Sequence, residues 1–457
     1  MAVPGRDGNP PGPADLLDPG GELRAAANDC VHCGFCLPAC PTYQLWGEEM
    51  DSPRGRIHLM SQILDGAPVS RAAVDHLDRC LGCMACMPAC PSGVHYDRLI
   101  EGARAWTDDR APGRDPGQAR SLAERALQAA IFATFPYPRR LRLLTGPLRA
   151  AQGTGLARLL AGSALAQRAA PALASSLRLA PPATTRQPRL PERVPATGAR
   201  RAVVGMLTGC VQRVFFPHVN AATARVLAAE GCDVIIPRGQ GCCGALSLHS
   251  GRASEARDFA RRAIGVFEAA GVDAIVVNSA GCGSAMKDYQ RLLAADPDWA
   301  GRAAALTAKV RDVSEFLTEL AGSGEGLRGQ RHPLPVLVAY HDACHLANAQ
   351  GIRSQPRELL RAVPELKLAE IADGACCGSA GVYNLLQPEA AGELGERKAA
   401  AVRETGAPLV VSGNPGCSLQ ISAALAAGGG EPPAVAHITE VLDASLRGLP
   451  PAALTSR

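Results

Sequence analysis

Two cysteine blocks with the same spacing constrain this chain more than any other feature of its sequence. Each block reads C-x-x-C-x-x-C-x-x-x-C-P, and the second begins 50 residues after the first. The eight cysteines are Cys30, Cys33, Cys36, Cys40, Cys80, Cys83, Cys86 and Cys90. Thiols clustered in this way are typical of metal-thiolate sites rather than of disulfides, so we expect this part of the chain to fold around metal.

The spacing is that of bacterial two-cluster ferredoxins, in which the fourth cysteine of each block ligates the other cluster. It therefore predicts two [4Fe-4S] clusters with crossed ligand sets. The predicted ligands are Cys30, Cys33, Cys36 and Cys90 for cluster 1, and Cys80, Cys83, Cys86 and Cys40 for cluster 2. Zinc is the alternative, but zinc sites usually show two C-x-x-C pairs without a third cysteine two residues further on.

The segment between the blocks carries two cations in a turn, Asp51-Ser-Pro-Arg-Gly-Arg56. Their charge could offset the negative charge of the clusters and raise the reduction potential. An ordinary helix-capping turn explains the same residues equally well. Gly34 and Gly82, inside the blocks, would let the backbone approach the clusters closely.

A second cysteine pattern occurs twice in the rest of the chain. Beyond Ala199, short β-branched runs alternate with helical stretches, which indicates α/β structure. Four cysteines in the first half recur in the second at offsets of 134, 134, 134 and 135 residues. The pairs are Cys210 and Cys344, Cys242 and Cys376, Cys243 and Cys377, and Cys282 and Cys417. The pattern predicts a duplicated domain.

Within each half, the cysteines follow predicted strands. In the first half these strands are Ala202 to Leu207, Asp233 to Ile236 and Ala274 to Val277; in the second they are Val336 to Ala339, Leu366 to Ile371 and Leu409 to Val411. The carboxyl ends of parallel strands meet at one edge of a sheet, so the four thiols of each half could converge there and hold one further iron-sulfur cluster per repeat. Buried structural thiols are the alternative, and Cys232, which has no counterpart, is expected to be one.

Two histidines distinguish the second half from the first. His341 and His345 flank or adjoin Cys344, whereas the equivalent first-half residues are Leu207 and Val211. Either histidine could accept a proton or tune a cluster, although most buried histidines simply bond to backbone.

Charge and hydropathy exclude other classes of protein. The net charge is +4 and no run of five like charges occurs, so nucleic-acid binding is not expected. No stretch is long and apolar enough to cross a bilayer, and residues 1–22 lack the pattern of a secretory signal. The helical pattern from Arg120 to Leu179 should break at Pro136, Pro138, Pro147 and Pro171.

These observations predict an α+β multidomain protein: an α-helical two-cluster ferredoxin domain followed by two duplicated α/β cysteine-rich domains. The predicted divisions are a flexible leader (1–22), the ferredoxin-type domain (23–110), a helical connector with a Pro-rich linker at Pro181 to Pro195 (111–198), and the two cysteine-rich domains (199–330 and 331–457).

The chain resembles the iron-sulfur subunits of glycolate oxidase. It also resembles anaerobic glycerol-3-phosphate dehydrogenase, lactate-utilisation proteins and heterodisulfide reductase. The resemblance lies in the paired cysteine blocks, in the EEMDSPRGRIHLM segment from Glu48 to Met60, and in the GCCGAL and ACCGSAG motifs of the repeats.

The resemblance implies a complex in which flavin subunits oxidise glycolate to glyoxylate and this chain passes electrons to a quinone or another acceptor. FAD is then expected on the partner subunits only, and no catalytic residue is expected on this chain. The implied location is cytoplasmic, with peripheral contact at the inner face of the membrane. Complexes that oxidise lactate or glycerol 3-phosphate are the alternatives.

A further alternative is a reductase that acts at a cluster of the cysteine-rich domains, as the resemblance to heterodisulfide reductases implies. One departure from those relatives weakens this alternative. Those relatives end each repeat with C-x-x-C, which supplies five thiolates. Here the fifth position is Ser279 or Ala285 in the first repeat and Asn414 or Gln420 in the second. Disulfide chemistry is therefore less expected than electron transfer.

Overall fold

The computed structural model describes residues 17, 18, 20–107, 120–181, 190–372 and 374–456. The chain divides into two compact units, residues 1–132 with 246–255, and residues 133–245 with 256–457. The leader expected at 1–22 lies almost entirely outside the described residues. The part of the Pro-rich linker between 182 and 189 also lies outside them.

The first unit is helical around its cysteine blocks, as predicted, and its described residues contain no strand. Its helices before the connector are α1 (Glu22–Asn28), α2 (Pro41–Trp46), α3 (Pro53–Leu64), α4 (Arg71–Asp78) and α5 (Tyr96–Arg104), with short 3-10 turns at Glu49–Asp51 and Ala105–Thr107. Apolar residues from α3, α4 and α5, among them Met60, Leu77 and Ile100, form a buried core with Trp106. This core fixes the helices that flank each cysteine block.

The connector is a series of short helices. They are α6 (Leu122–Thr134), α7 (Pro138–Gly153), α8 (Leu156–Gly162), α9 (Ala164–Ala169) and α10 (Pro171–Leu179). Pro138 and Pro171 begin helices, where their missing N–H is harmless. The break expected at Pro147 is wrong, because α7 continues through it. Leu143, four residues earlier, is exposed, so water can bond the carbonyl that Pro147 leaves without a donor.

The first cysteine-rich repeat is built on a five-stranded sheet of order β1-β3-β2-β4-β5, parallel except for β1. Its strands are β1 (Arg193–Val194), β2 (Ala202–Leu207), β3 (Cys232–Ile235), β4 (Ala274–Val277) and β5 (Val310–Asp312). Its helices are α11 (Val211–Phe215), α12 (Pro217–Ala229), α13 (Ala245–Leu248), α14 (Ala253–Ala270), α15 (Ala280–Lys287), α16 (Tyr289–Leu292), α17 (Ala300–Thr307) and α18 (Val313–Gly322). β1 lies inside the segment expected to be a linker, where no strand was predicted.

The second repeat has the equivalent four parallel strands in the order β7-β6-β8-β9. They are β6 (Leu337–His341), β7 (Lys367–Glu370), β8 (Leu409–Ser412) and β9 (Ala434–His437). A short π-helix at His345–Ala349 follows β6. The α-helices of the repeat are α19 (Ser354–Arg361), α20 (Tyr383–Leu386), α21 (Pro388–Glu404), α22 (Pro415–Ala427), α23 (Ile438–Leu446) and α24 (Ala452–Thr455). The matching strand orders confirm the duplicated fold. The predicted strands agree with the observed ones within two residues at each end.

The two repeats share one hydrophobic core and an interface between α12 and α23. Arg225 donates two hydrogen bonds of 2.7 Å to the carboxylate of Asp443 across this interface. Nearby, the Thr223 hydroxyl lies 3.1 Å from that of Thr439. The repeats are therefore held as one body. Among the described residues, no helix is both long enough and apolar enough to cross a membrane.

Candidate metal centres

Each cysteine block of the first unit is a tight loop in which two residues have left-handed backbone conformations. They are His32 and Gly34 in the first block, and Gly82 and Met84 at the equivalent places in the second, with φ between 54° and 88°. Loops of this kind turn successive backbone N–H groups toward one side and form a concavity that attracts anions. The two glycines that the sequence singled out therefore contribute to the cluster-facing shape of the loops.

A cavity in the first unit brings cysteines of both blocks together. Cys30, Cys33 and Cys36 line it, and so do Cys90 and Cys86 from the second block. Burial raises the pKa of the Cys30 thiol, and its neighbours Cys90 and Cys33 raise it further. The first predicted ligand set, which no direct observation of metal tests, is thus assembled by the fold.

The remaining thiols of the two blocks lie deeper. Cys40, Cys80, Cys83 and Cys86 are all buried. Burial raises the pKa of the Cys86 thiol well above its ordinary value, and the nearby sulfurs of Cys83, Cys80, Cys40 and Cys36 add to the rise. Cys40 therefore lies near thiols of both blocks, which is compatible with the crossed arrangement.

Arg56 is a fully buried cation beside this second group of thiols. Its guanidinium donates to the carbonyl of His76 (2.6 Å), to the Thr42 hydroxyl (3.1 Å) and to the Asp51 carboxylate (3.3 Å). Burial alone would raise the pKa of the Cys80 thiol, but the charges of Arg56 and Arg104 outweigh it, and the pKa is lowered. Arg56 thus favours a thiolate at Cys80.

The turn between the blocks caps a helix and also brings cations to the cysteine loops. Ser52 caps α3 by accepting a hydrogen bond of 3.0 Å from the Gly55 N–H. The cations of the same turn reach the cysteine loops, and Arg54 donates to the carbonyl of His32 at 3.0 Å. Sequence reasoning missed the equivalent residue of the second block, Arg104, which donates to the Cys80 carbonyl. Its position 14 residues after Cys90 gave no local signal.

The first repeat gathers four thiols at the carboxyl ends of its parallel strands. Cys210 precedes α11, Cys282 lies in the first turn of α15, and the sulfurs of Cys210 and Cys242 are 3.7 Å apart. Cys243 shares side-chain hydrogen bonds with Cys242 and Cys282. Gly244 has a φ of 83° and donates its N–H to the Cys242 sulfur at 3.3 Å. The predicted convergence of these four cysteines is therefore seen.

The electrostatics of this group favour one thiolate. The hydrogen bonds from Cys210 and Cys243 lower the pKa of the Cys242 thiol well below its ordinary value. The same contacts raise the pKa of Cys210 well above it. Cys210 and Cys243 therefore keep their protons more firmly than usual, whereas the Cys242 thiol ionises more readily and is favoured as a thiolate.

The second repeat gathers its four thiols in the same way and adds a histidine. Cys344 shares a side-chain hydrogen bond with Cys376, and Cys377 shares one each with Cys376 and Cys417. Ligand atoms of His341, Cys377 and Cys417 all lie within 4.8 Å of one another, and the three residues are buried. Burial lowers the pKa of His341 to about 3, and the charge of the buried Lys398 contributes.

The residues at the missing fifth-cysteine positions meet each other at the boundary of the repeats. Ser279 and Asn414 each precede the helix that carries the last cysteine of their repeat. Their side-chain oxygens are 3.4 Å apart, and Asn414 also donates to the Cys417 sulfur at 3.4 Å. Gln420, the other candidate position, instead bonds to Asn384 and to the Ala391 carbonyl. Of the candidate positions, Ser279 and Asn414 therefore lie beside the cysteine groups of the repeats.

The chemistry of the donor sets fits iron-sulfur clusters. All seventeen cysteines are free thiols, and sixteen of them belong to the four groups described above. Thiolates are soft ligands, and groups of four suit iron-sulfur clusters or zinc. Cys232 is the exception: it is fully buried in β3, and burial raises its pKa to about 11, as expected for a structural thiol.

Comparison with known proteins favours iron-sulfur clusters over zinc. Residues 26–94 match the family model of the 4Fe-4S dicluster domain, and residues 204–287 and 338–422 each match that of the cysteine-rich domain. Residues 123–179 match the linker region of the glycolate oxidase iron-sulfur subunit. The matches indicate iron-sulfur clusters and place the connector helices in a family-specific region.

Full-length relatives agree with this assignment. The chain is 37% identical to the probable glycolate oxidase iron-sulfur subunit of Bacillus subtilis over 86% of its own length and 88% of the relative's. It is 34% identical to the glycolate oxidase iron-sulfur subunit of Escherichia coli over 86% and 89%. The chain belongs to the glycolate oxidase iron-sulfur subunit family. Lactate utilization protein A of Oceanobacillus iheyensis is 30% identical over 54% of this chain and 98% of its own length.

Membership of the glycolate oxidase iron-sulfur subunit family accounts for the organisation of the sites. The family name describes one subunit of an oxidoreductase complex, so partner subunits are implied. The residues of this chain supply four groups of thiols, cations beside the first two groups and a joined pair of repeats.

Proposed function

We propose that this chain is the electron-transfer subunit of a complex that oxidises glycolate to glyoxylate. Flavin-containing partner subunits would carry out the oxidation with FAD, and this chain would pass the electrons to a quinone or another acceptor. The observation that carries the proposal is the proximity of the two cysteine blocks, with Cys90 in the cavity of the first block and Cys40 near Cys86 of the second, which supports the crossed ligand sets. Zinc sites do not require such a crossing.

In this proposal two [4Fe-4S] clusters, once bound, supply carriers that accept and release one electron at a time. The residues of the chain hold them and set their environment. The eight thiolates of the crossed sets are the ligands, and Arg56, Arg54 and Arg104 place positive charge beside the loops. Cys40, Cys80, Cys83 and Cys86 are buried, which keeps water away from the proposed second cluster. The four thiols of each repeat are proposed to hold a further cluster.

The alternatives differ in substrate and in the place of the chemistry. Lactate is the second candidate substrate, because relatives named lactate utilization protein A match about half of this chain. A reductase that works at a repeat cluster is less well supported, since each repeat has only four cysteines in its group. Glycerol 3-phosphate is a substrate that the family resemblance suggests. The proposed location is cytoplasmic, with peripheral contact at the inner face of the membrane.

The test is reduction of the clusters by substrate in the complex isolated anaerobically from its native host. Glycolate, lactate and glycerol 3-phosphate would be added in turn while the visible absorption of the clusters is followed. Glycolate should bleach the clusters of the complex and leave the isolated chain unchanged. Bleaching of the isolated chain by any of the three would contradict a pure electron-transfer role.

A matched pair of variants connects this reduction to the proposed ligands. Cys90→Ser should remove the contribution of one cluster and slow the transfer of electrons to an added quinone analogue. Cys232→Ser changes a buried thiol outside all four groups, and it should leave the cluster signals and the rate of electron transfer unchanged. If both variants behave alike, the proposed ligand set is wrong.

A further inference from the structure

The second repeat contains a buried imidazole nitrogen that nothing in its surroundings satisfies. His341 ends β6 with 3% of its surface exposed, and its Nε2 has no hydrogen-bond partner. The thiols of Cys377 and Cys417 are close by, since a ring nitrogen of His341 and the two sulfurs all lie within 4.8 Å of one another. A buried polar atom without a partner is destabilising, so such atoms persist where a ligand uses them.

We propose that Nε2 of His341 is a ligand of the metal centre in the second repeat, an iron-sulfur cluster that it shares with the thiolates of Cys377 and Cys417. The inference rests on the proposed function, since it takes iron-sulfur clusters to be the metal centres of the chain. Each thiol loses one proton when it binds iron, whereas a neutral imidazole gives a lone pair and loses none. The cluster therefore carries one negative charge less than it would with a thiolate in the place of His341.

The first repeat provides an internal comparison. The residue equivalent to His341 is Leu207, so a nitrogen ligand is impossible at that position. The residue equivalent to Lys398, which is 1% exposed on α21, is Ile264. The second repeat thus has both an imidazole and a buried ammonium group where the first has two aliphatic side chains.

This difference orders the two repeats by reduction potential. A nearby positive charge raises the reduction potential of an iron-sulfur cluster, and a neutral imidazole adds no negative charge that would oppose the effect of Lys398. The cluster of the second repeat should have the higher potential of the two. Electrons that reach the repeats should therefore collect at the second one.

The experiment measures nitrogen bound to iron in the full-length wild-type chain, prepared anaerobically and reduced. Two preparations are compared by pulsed electron paramagnetic resonance, one with ordinary histidine and one with ¹⁵N-labelled histidine. A strong nitrogen coupling that changes with the label is expected. Because the wild-type chain is used, this result does not depend on the folding of any variant.

Two leucine variants then assign the nitrogen to a residue. His341→Leu reproduces the first repeat at this position and should abolish the labelled coupling while it leaves the signals of the ferredoxin-type clusters unchanged. His345→Leu, beside Cys344, is the matched control and should retain the coupling. Loss of the coupling in His345→Leu together with its persistence in His341→Leu would overturn the assignment.

The remaining outcomes distinguish this inference from the proposed function. Ferredoxin-type clusters without any histidine coupling would overturn the ligand proposal and leave the electron-transfer role standing. Zinc instead of iron in the second repeat would also overturn it. A wild-type chain that binds no iron at all would overturn the proposed function itself.

Discussion

The last strand of each repeat ends in a buried side chain that caps the next helix, and the two caps should respond to pH in opposite ways. Asp312 accepts a hydrogen bond of 2.8 Å from the Ser314 N–H. At the equivalent place, Nδ1 of His437 accepts one of 3.1 Å from the Thr439 N–H. Burial raises the pKa of Asp312 from 3.8 to about 6, and burial lowers that of His437 from 6.5 to about 4.

The signs follow from the protons bound in each state. The pKa of Asp312 is higher in the folded chain, so its contribution to stability is present below about pH 4 and is lost as the pH rises through about 6. The pKa of His437 is lower in the folded chain, so its contribution is present above about pH 6.5 and is lost as the pH falls through about 4. At ~1.4 kcal/mol per pKa unit, each full effect is about 3 kcal/mol. From pH 5 to pH 7 the free energy of unfolding should fall by about 1 kcal/mol through Asp312 and rise by about 2 kcal/mol through His437.

The assay is denaturant unfolding of the full-length chain and of two variants at pH 5, 6 and 7. Asp312→Asn and His437→Asn both keep a residue that can cap a helix and remove the titrating group. Relative to the wild type, Asp312→Asn should gain about 1 kcal/mol between pH 5 and pH 7, and His437→Asn should lose about 2 kcal/mol. If the two differences have the same sign, or neither changes with pH, the reasoning is refuted.

Three further predictions concern the first unit. Cys40→Ser should cost the chain about four irons and weaken the resonance of the cluster held mainly by the second block, as iron analysis and electron paramagnetic resonance would show. Arg56→Met should lower the potential of that cluster in voltammetry and destabilise the fold by about 3 kcal/mol, whereas Arg56→Lys should retain most of the potential. Gly55→Ala would place a Cβ 2.0 Å from the Glu49 carbonyl oxygen and should destabilise the unit by about 3 kcal/mol in thermal unfolding. Gly392→Ala, on a helix with open space, is its control and should be neutral or slightly stabilising.

The sequence predicted those features that depend on cysteine spacing and on repetition. The offset of 134 residues identified the duplicated sheets, and the strand-end positions of the cysteines predicted their convergence. Three strands were missed. Arg193–Val194, Val310–Asp312 and Ala434–His437 have two to four residues each, and they lie at the edges of the sheets, where polar residues are common and the apolar pattern is weak.

The cations and the buried lysine were harder to predict, because their positions depend on tertiary packing. Lys398 follows Cys377 by 21 residues on an amphipathic helix, and a lysine in such a helix is normally exposed. The sequence predicts Arg56 as one of two cations in a turn but not its burial, and the structure shows it fully buried between Thr42 and His76. Spacing identifies metal ligands well, but it does not show which charged side chains the fold directs toward them.

The crossing of the two cysteine blocks has a consequence for maturation of the protein. Under the proposed ligand sets the first metal group cannot be completed until the ribosome has synthesised Cys90, and the second cannot be completed until it has synthesised Cys86. During that interval the thiols of Cys30, Cys33 and Cys36 are open to oxidants and to competing metal ions. Delivery of iron and sulfide should therefore follow translation of the whole amino-terminal region, and both groups should be filled by carrier proteins in closely linked steps.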